Sequence, residues 1–400
     1  MTERELDLVL LGATGFTGGL TADYLAEHVP DGVRWGIAGR DPAKLAVIRD
    51  RLVAAHPDRP GLADLALVPA DVSDAGSLAA LAARTRVLAT TVGPYLTHGE
   101  PVVAACAEAG TDYVDLTGEP EFVDTMYVRY DAVARATGAR IVHACGFDSV
   151  PHDLGALFTV NQLAAVGPVR LRGIVRAKAG LSGGTFHSAL EQFSRPRQLR
   201  AAAAARRSVE RQRSATGQAA GERRTSRAVA GRLRRDPLLG YWLVPLPTID
   251  PMIVARSGAA LAAYGPEFTY SHYAGTKTLR YAVGGIAAVG ALALGAQIGP
   301  VRDWLGRRLP QGAGPASSRR DDSWFTVDFV GEGDGRTIHT RVSGGDPGYT
   351  ETSRMLAESA LSLALDDNPP TAGCVTTAQA MGERLTARLI SAGLRFEVLT

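Results

Sequence analysis

Lysine is nearly absent from this chain: in 400 residues it occurs only as Lys44, Lys178 and Lys277, so the basic residues are almost all arginine. A mechanism built on a lysine Schiff base is confined to those three, and none stands in a catalytic motif. Cysteine is scarce as well. Cys106, Cys145 and Cys374 lie far apart, lack metal-ligand spacing and cannot all pair. That excludes a disulfide framework, predicts a reducing, cytoplasmic setting and leaves no metal site to predict. With a net charge of +2 the chain as a whole makes no case for nucleic acid. The charged run Met1 to Asp7 leads straight into a strand, so no secretory leader is expected. What is plentiful is apolar sequence, 46% of residues, enough for two domains with large cores.

The most informative stretch comes first. Leu6 to Leu11 reads as a buried strand and runs into Gly12-Ala13-Thr14-Gly15-Phe16-Thr17-Gly18, after which Leu20 to His28 reads as a helix. Strand, glycine turn and helix form a dinucleotide cradle, because a diphosphate reaches the free N–H groups of a helix start only where no side chain blocks the backbone. Gly12, Thr14, Gly15, Phe16, Thr17 and Gly18 are the predicted diphosphate contacts, in a GxxGxxG variant of the usual spacing. A second strand, Val33 to Ala38, ends in Gly39-Arg40. A guanidinium there suits a ribose 2′-phosphate, so Arg40, with Lys44 as a second charge, favours NADP(H). Asp41 keeps the NAD alternative open.

Repeated βα units continue to about residue 147 and predict a doubly wound parallel sheet, an α/β Rossmann-type domain. Asp71 and Val72, ending the third strand, are expected beside the adenine, and Gly93 and Pro94, after the fourth, in the ligand crevice. From residue 148 to about 350 the pattern changes to an α+β domain with a mostly antiparallel sheet. Val169 to Ala177, and Trp324 to Val330 paired with Thr337 to Val342, alternate with period two, as strands with one wet face do. Ser182-Gly183-Gly184-Thr185 reads either as a tight turn or as backbone donors near the site. Helices within 351–400 are expected to return to the first domain.

Two segments interrupt the second domain. Residues 195–235 hold thirteen arginines against two acids, on a helical background, and read as a solvated face or as a dock for an anionic partner. Residues 281–301 contain no charge over a length that could span a bilayer. Five glycines, with Gln297 and Pro300 near the end, weaken a true span. A helix lying on or in a membrane and a buried or lid helix lining a greasy channel are both open, and both imply a hydrophobic substrate.

The glycine turn, Ala38-Gly39-Arg40, Thr91 to Tyr95, Gly110 to Glu119, Gly146-Phe147-Asp148-Ser149-Val150-Pro151 and Thr376 to Gly382 together resemble the saccharopine dehydrogenase-like oxidoreductases, and within them the trans-acting enoyl reductases of lipid and polyketide synthesis. The resemblance runs over nearly the whole chain. It implies a Rossmann domain, an α+β second domain and NADPH-dependent reduction of a carbon–carbon double bond in a long acyl intermediate by a protein acting outside the synthase; the basic segment 195–235, read as a dock, would suit a carrier-bound chain.

Such a reduction needs a proton donor and an enolate-stabilising group near the carboxyl ends of the strands. Tyr95, His98, Asp148 and His152 are the candidates there. The Gly146 to Pro151 turn has a second reading, as a domain junction in which Asp148 and Ser149 cap the following helix. A reductase of a saccharopine-like amino-acid conjugate and a non-catalytic, membrane-associated nucleotide binder are the alternative functions. A homodimer and peripheral attachment to the inner face of the plasma membrane are compatible with the sequence.

Overall fold

The computed structural model describes residues 4–179, 183–215, 224–308 and 320–400. Its first half alternates strand and helix: β1 (Leu6–Leu11), α1 (Phe16–His28), β2 (Trp35–Gly39), α2 (Pro42–Ala55), β3 (Ala66–Pro69), α3 (Ala75–Arg84), β4 (Thr85–Thr90), α4 (Tyr95–His98), α5 (Glu100–Ala109), β5 (Asp112–Asp115), α6 (Pro120–Thr137), β6 (Arg140–Val142) and α7 (Val150–Leu163). Strands β1 and β4 are buried almost throughout, as a parallel sheet covered by helices on both faces requires. Asp41 and Asp74 start α2 and α3 by accepting from backbone N–H groups of the first turn.

The second half holds β7 (Val169–Lys178), α8 (Gly183–Ser194), α9 (Pro196–Ala215), β8 (Thr225–Ala228), β9 (Arg234–Arg235), β10 (Trp242–Pro245), α10 (Asp250–Ala260), β11 (Glu267–Thr276), α11 (Leu279–Ala296), α12 (Gly299–Arg308), β12 (Trp324–Gly333) and β13 (Arg336–Gly344). The chain closes with α13 (Thr350–Leu365), β14 (Gly373–Val375), α14 (Thr377–Ala380), α15 (Gly382–Ser391) and β15 (Arg395–Val398).

Two sheets result. The parallel sheet runs β14-β6-β5-β4-β1-β2-β3, and the mixed one β15-β13-β12-β7-β11-β10-β9, with β8 also on β11. Most pairs in the second sheet are antiparallel, but β7 and β11 run parallel, which the long connection through α8, α9 and α10 permits. The β12–β13 hairpin turns at Asp334-Gly335, both at positive φ (49° and 73°), the twist-matched turn that such residues favour.

The expectation of a plain wet face fails on β12. Asp328 lies there fully buried, paired with His339 at 2.8 Å and accepting from Arg341 Nε at 2.9 Å. The alternation hid a buried charge network. The C-terminal segment serves both sheets: α13 packs on α1 and on the parallel strands, β14 extends that sheet beyond β6, and β15 pairs with β13.

Candidate active site

The glycine turn has the shape its sequence predicts. Gly12 sits at φ +98°, and a Cβ there would press on Thr91 and Val92; a Cβ on Gly18 would fall 2.1 Å from the Gly12 carbonyl. Only bare backbone lets α1 approach the ends of β1 and β4 so closely. Gly15 is the N-cap of α1, no side chain caps that first turn, and no acid lies in it. The residues therefore fit a diphosphate: an uncapped helix start of positive polarity behind exposed Thr14 and Gly15. Phe16 and Thr17 open that turn, with the Phe16 ring edge-on to Tyr349.

Arg40 is exposed at the end of β2, and Lys44 is exposed on the first turn of α2. Asp41, the residue that kept NAD open, accepts from Ala43 and Lys44 N–H groups at 3.0 and 3.2 Å. Its carboxylate is a helix cap. Asp71 closes β3 with Val72 half-buried beside it; Ser73 donates to its Oδ1 from backbone and hydroxyl, at 2.9 and 2.7 Å. Those bonds, with Arg40 and His98 nearby, hold its carboxyl below the ordinary range. The Gly93–Pro94 peptide that follows β4 is cis.

Of the four catalytic candidates, the structure brings two together and leaves two apart. Tyr95 is buried, donates its hydroxyl to the Thr90 carbonyl (3.2 Å) and accepts from Leu116 N–H (3.1 Å). Burial pushes the phenol well above its usual value. With both bonding directions taken by main chain, it braces the ends of β4 and β5 and is corrected from proton donor to structural link. His98, half-buried at the end of α4, lies on the Asp71 side of the crevice.

Asp148 and His152 meet at the carboxyl end of β6. Ser149, the N-cap of α7, makes no side-chain cap bond and holds φ 152°, a value costly for any side chain. The capping reading of this turn thus loses its hydroxyl. Asp148 is half-buried, its Oδ2 3.1 Å from where a Cβ on Gly118 would stand. Burial first, and then the charge of Asp250, push its carboxyl up to about 6, against the pull of His152.

His152 Nδ1 lies 2.9 Å from Asp250 Oδ1, off the line of a hydrogen bond, and His272 Nε2 lies 3.6 Å from Asp250 Oδ2. All three side chains are buried. Burial raises the Asp250 carboxyl, but His152 and His272 outweigh it and hold the group far below the carboxylate range. Burial pushes His272 down to about 4, so it is neutral at pH 7, and its Nδ1 faces the Tyr270 hydroxyl at 3.0 Å. The Phe147 ring stands edge-on to His152. His152 Nε2 is buried with no hydrogen-bond partner among the described residues.

Sequence reasoning missed Asp250 and His272. A signal existed: Phe268, Tyr270 and His272 share one buried face of β11, and an imidazole among core aromatics calls for a polar partner. Other polar motif residues are structural. Asp115 accepts from Tyr113, His143, Thr117 and Ala144, tying β5 to β6. Glu119 accepts from Tyr95 and Leu96 N–H groups and from Ser188. Of the turn expected at 182–185, Ser182 lies outside the described residues and Gly183 begins α8.

Residues 8–142 match the saccharopine dehydrogenase NADP-binding domain family. A trans-acting enoyl reductase of Mycobacterium bovis (strain BCG / Pasteur 1173P2) is 35% identical, covering 98% of this chain and 97% of its own. One of Mycobacterium ulcerans (strain Agy99) is 34% identical, with coverage of 98% and 97%. Saccharopine dehydrogenase (L-Glu forming) of Saccharomyces cerevisiae superposes with a TM-score of 0.53 at 13% identity, covering 98% of this chain and 99% of that one, a likeness of fold. Relatives of that identity over nearly the full length of both chains establish that this protein belongs to the saccharopine dehydrogenase-like trans-acting enoyl reductases, as an oxidoreductase whose cofactor is NADP(H).

Proposed function

We propose that the protein saturates the carbon–carbon double bond next to the carbonyl of a long acyl intermediate, presented by a carrier. The names of its relatives support the reaction class. The observation that carries the assignment of residues is the buried Nε2 of His152, without a hydrogen-bond partner among the described residues, beside Asp148 and Asp250. NADPH supplies the hydride that the β-carbon accepts. Arg40 and Lys44 would hold its 2′-phosphate, and the α1 start, with Gly12, Gly15 and Gly18, would hold its diphosphate.

The chain's own groups handle the proton. Asp250 faces the Nδ1 side of His152 at 2.9 Å, which leaves Nε2 as the nitrogen turned to the substrate. His152 Nε2 gives a proton to the α-carbon and regains one from solvent. Asp148, while protonated, donates to the oxygen on which enolate charge develops. The Phe147 ring stands edge-on to His152 and flanks the site.

The test uses purified protein, NADPH and a long-chain trans-2-enoyl thioester. Coenzyme oxidation should match formation of a product heavier by two hydrogens, and His152→Ala should abolish turnover while leaving NADPH binding intact. NADPH binding without reduction of any enoyl thioester overturns the proposal. Because the Asp148 proton is lost near pH 6, kcat/KM should fall as the pH rises through that value, and Asp148→Asn should flatten this limb.

The same residue sets a stability signature. Between about 4 and about 6 the folded chain keeps a proton on Asp148 that the unfolded chain has already released, so stability is lost as the pH rises across that window. Asp148→Asn should recover about 2–3 kcal/mol at neutral pH and little at pH 4, read by denaturant melts. For the coenzyme, Arg40→Ala should weaken NADPH about 10- to 100-fold relative to NADH. Equal losses for both would remove Arg40 from the phosphate site.

A further inference from the structure

Helix α11 is a surface that the proposed reaction leaves unexplained. It is 18 residues long with a mean hydropathy of 1.5, yet only 11% of it is buried. Ala282 and Ala296 are its buried residues; Ala296 meets Phe186 and Leu190 of α8, with Leu305 of α12 folded over the same end. Apart from half-buried Leu292, Ala293 and Gly295, the rest faces outward, led by Leu294 at 70% and Tyr281 at 61% exposure, with Val283 and Ile286 between them. At 100° per residue these four cover more than half of the helix circumference. The buried-lid reading of this segment is therefore corrected: α11 lies on the outside. Cβ atoms added at Gly284, Gly285 or Gly290 would meet nothing, so those glycines do not serve packing within the chain.

The start of the surface has a basic rim. Lys277 and Arg280 are exposed at its start, and the guanidinium of Arg280 sits 4.9 Å over the Tyr281 ring. Register brings two more cations there. Thr276 pairs with Trp242, which pairs in turn with Arg235, and Arg234 lies one residue on, both exposed. Beyond the other end, Arg302, Asp303 and Trp304 are exposed on α12, so the net positive charge lies at the start.

We infer that this face docks on an anionic phospholipid bilayer, α11 lying in the interface with Arg234, Arg235, Lys277 and Arg280 among the headgroups. Two observations favour a bilayer over a second copy of the chain. The apolar arc is wider than the stripe one partner helix covers, whereas acyl chains solvate any width. A symmetric pair would also set this basic rim near its own copy, while an anionic headgroup layer neutralises it. The inference does not depend on the proposed reaction, though a reductase of long acyl chains would meet its substrate there.

Co-sedimentation of the full chain with vesicles tests it. Phosphatidylglycerol–phosphatidylcholine vesicles should pellet the protein, and pure phosphatidylcholine vesicles or high salt should release most of it. Replacing all four rim cations by alanine should weaken binding more than about a hundredfold, at the strength expected per cation at such a surface. Ile286→Asp with Leu294→Asp should abolish binding while NADPH affinity and the melting temperature stay unchanged. Absence of pelleting with anionic vesicles, or pelleting that survives both variants, overturns the inference. So does a concentration-dependent dimer, seen by analytical ultracentrifugation, that Ile286→Asp dissociates in place of vesicle binding. Vesicle binding by a protein that reduces no enoyl thioester leaves this inference standing and removes the proposed reaction alone.

Discussion

Helices α9 and α11 both lie on the outside of the second half of the molecule, and their neighbours treat them in opposite ways. The positive charge of α9 is answered from within the chain. Arg195, just before it, binds Glu121. Arg206 lies between Asp124 and Glu210, and Arg213 binds Asp131, so the cations follow acids spaced along α6. The outward members, Arg197, Arg200, Arg207 and Arg211, are exposed. A dock for an anionic partner thus loses Arg195, Arg206 and Arg213, three of the thirteen arginines in the run, to pairs within the chain. Among the described residues, nothing comparable covers α11 beyond its contacts with α8, α12 and the strands beside it. A carboxylate as buried as Asp124, 1% exposed, requires a counter-charge. An apolar helix side has no such requirement and remains available.

The largest effect expected from this contrast is at Arg206. Arg206→Ala leaves the buried Asp124 carboxylate unpaired and should cost about 3–5 kcal/mol in denaturant melts, with part recovered by adding Asp124→Asn. A loss no greater than that of an outward arginine would dissolve the distinction within α9. Next, single alanine substitutions at Arg197, Arg200, Arg207 and Arg211 should each stay within about 0.5 kcal/mol, as solvated positions do. A larger loss at any of them would reveal a partner on that side of α9. Smallest of all, Val283→Ser on α11 should leave the melting temperature in water unchanged. A fall as large as a core truncation would mean that α11 is covered in the free protein.

The nucleotide cradle was legible because its causes are local. An apolar strand, a turn that only glycine can make and an uncapped helix start lie within about twenty residues of one another. The buried trio was only one-third legible. His152 follows a conspicuous turn, but Asp250 and His272 come from α10 and β11, about a hundred residues later, and meet it only when the two sheets pack. Tyr95 misled for a similar reason: its bonds go to backbone atoms of Thr90 and Leu116, and sequence does not display a backbone carbonyl. Arginine pairing in α9 was hidden because the acids sit on α6, whose sequence reads as an ordinary amphipathic helix. Strands β14 and β15, of three and four residues, are too short to show any periodicity.

The closing fifty residues have a consequence for anyone dissecting this enzyme. Strand β14 borders β6, β15 borders β13, and Asp153 on α7 accepts from Thr377, Ala378 and Ser257 at 2.7, 2.8 and 2.5 Å. The tail is a seam sewn through both halves. A coenzyme-binding fragment cut at residue 147 would carry a raw sheet edge along β6 and lose the covering of α13, inviting strand-to-strand aggregation. Chimeras that swap substrate specificity among relatives should therefore exchange the middle of the chain and keep head and tail from the same parent.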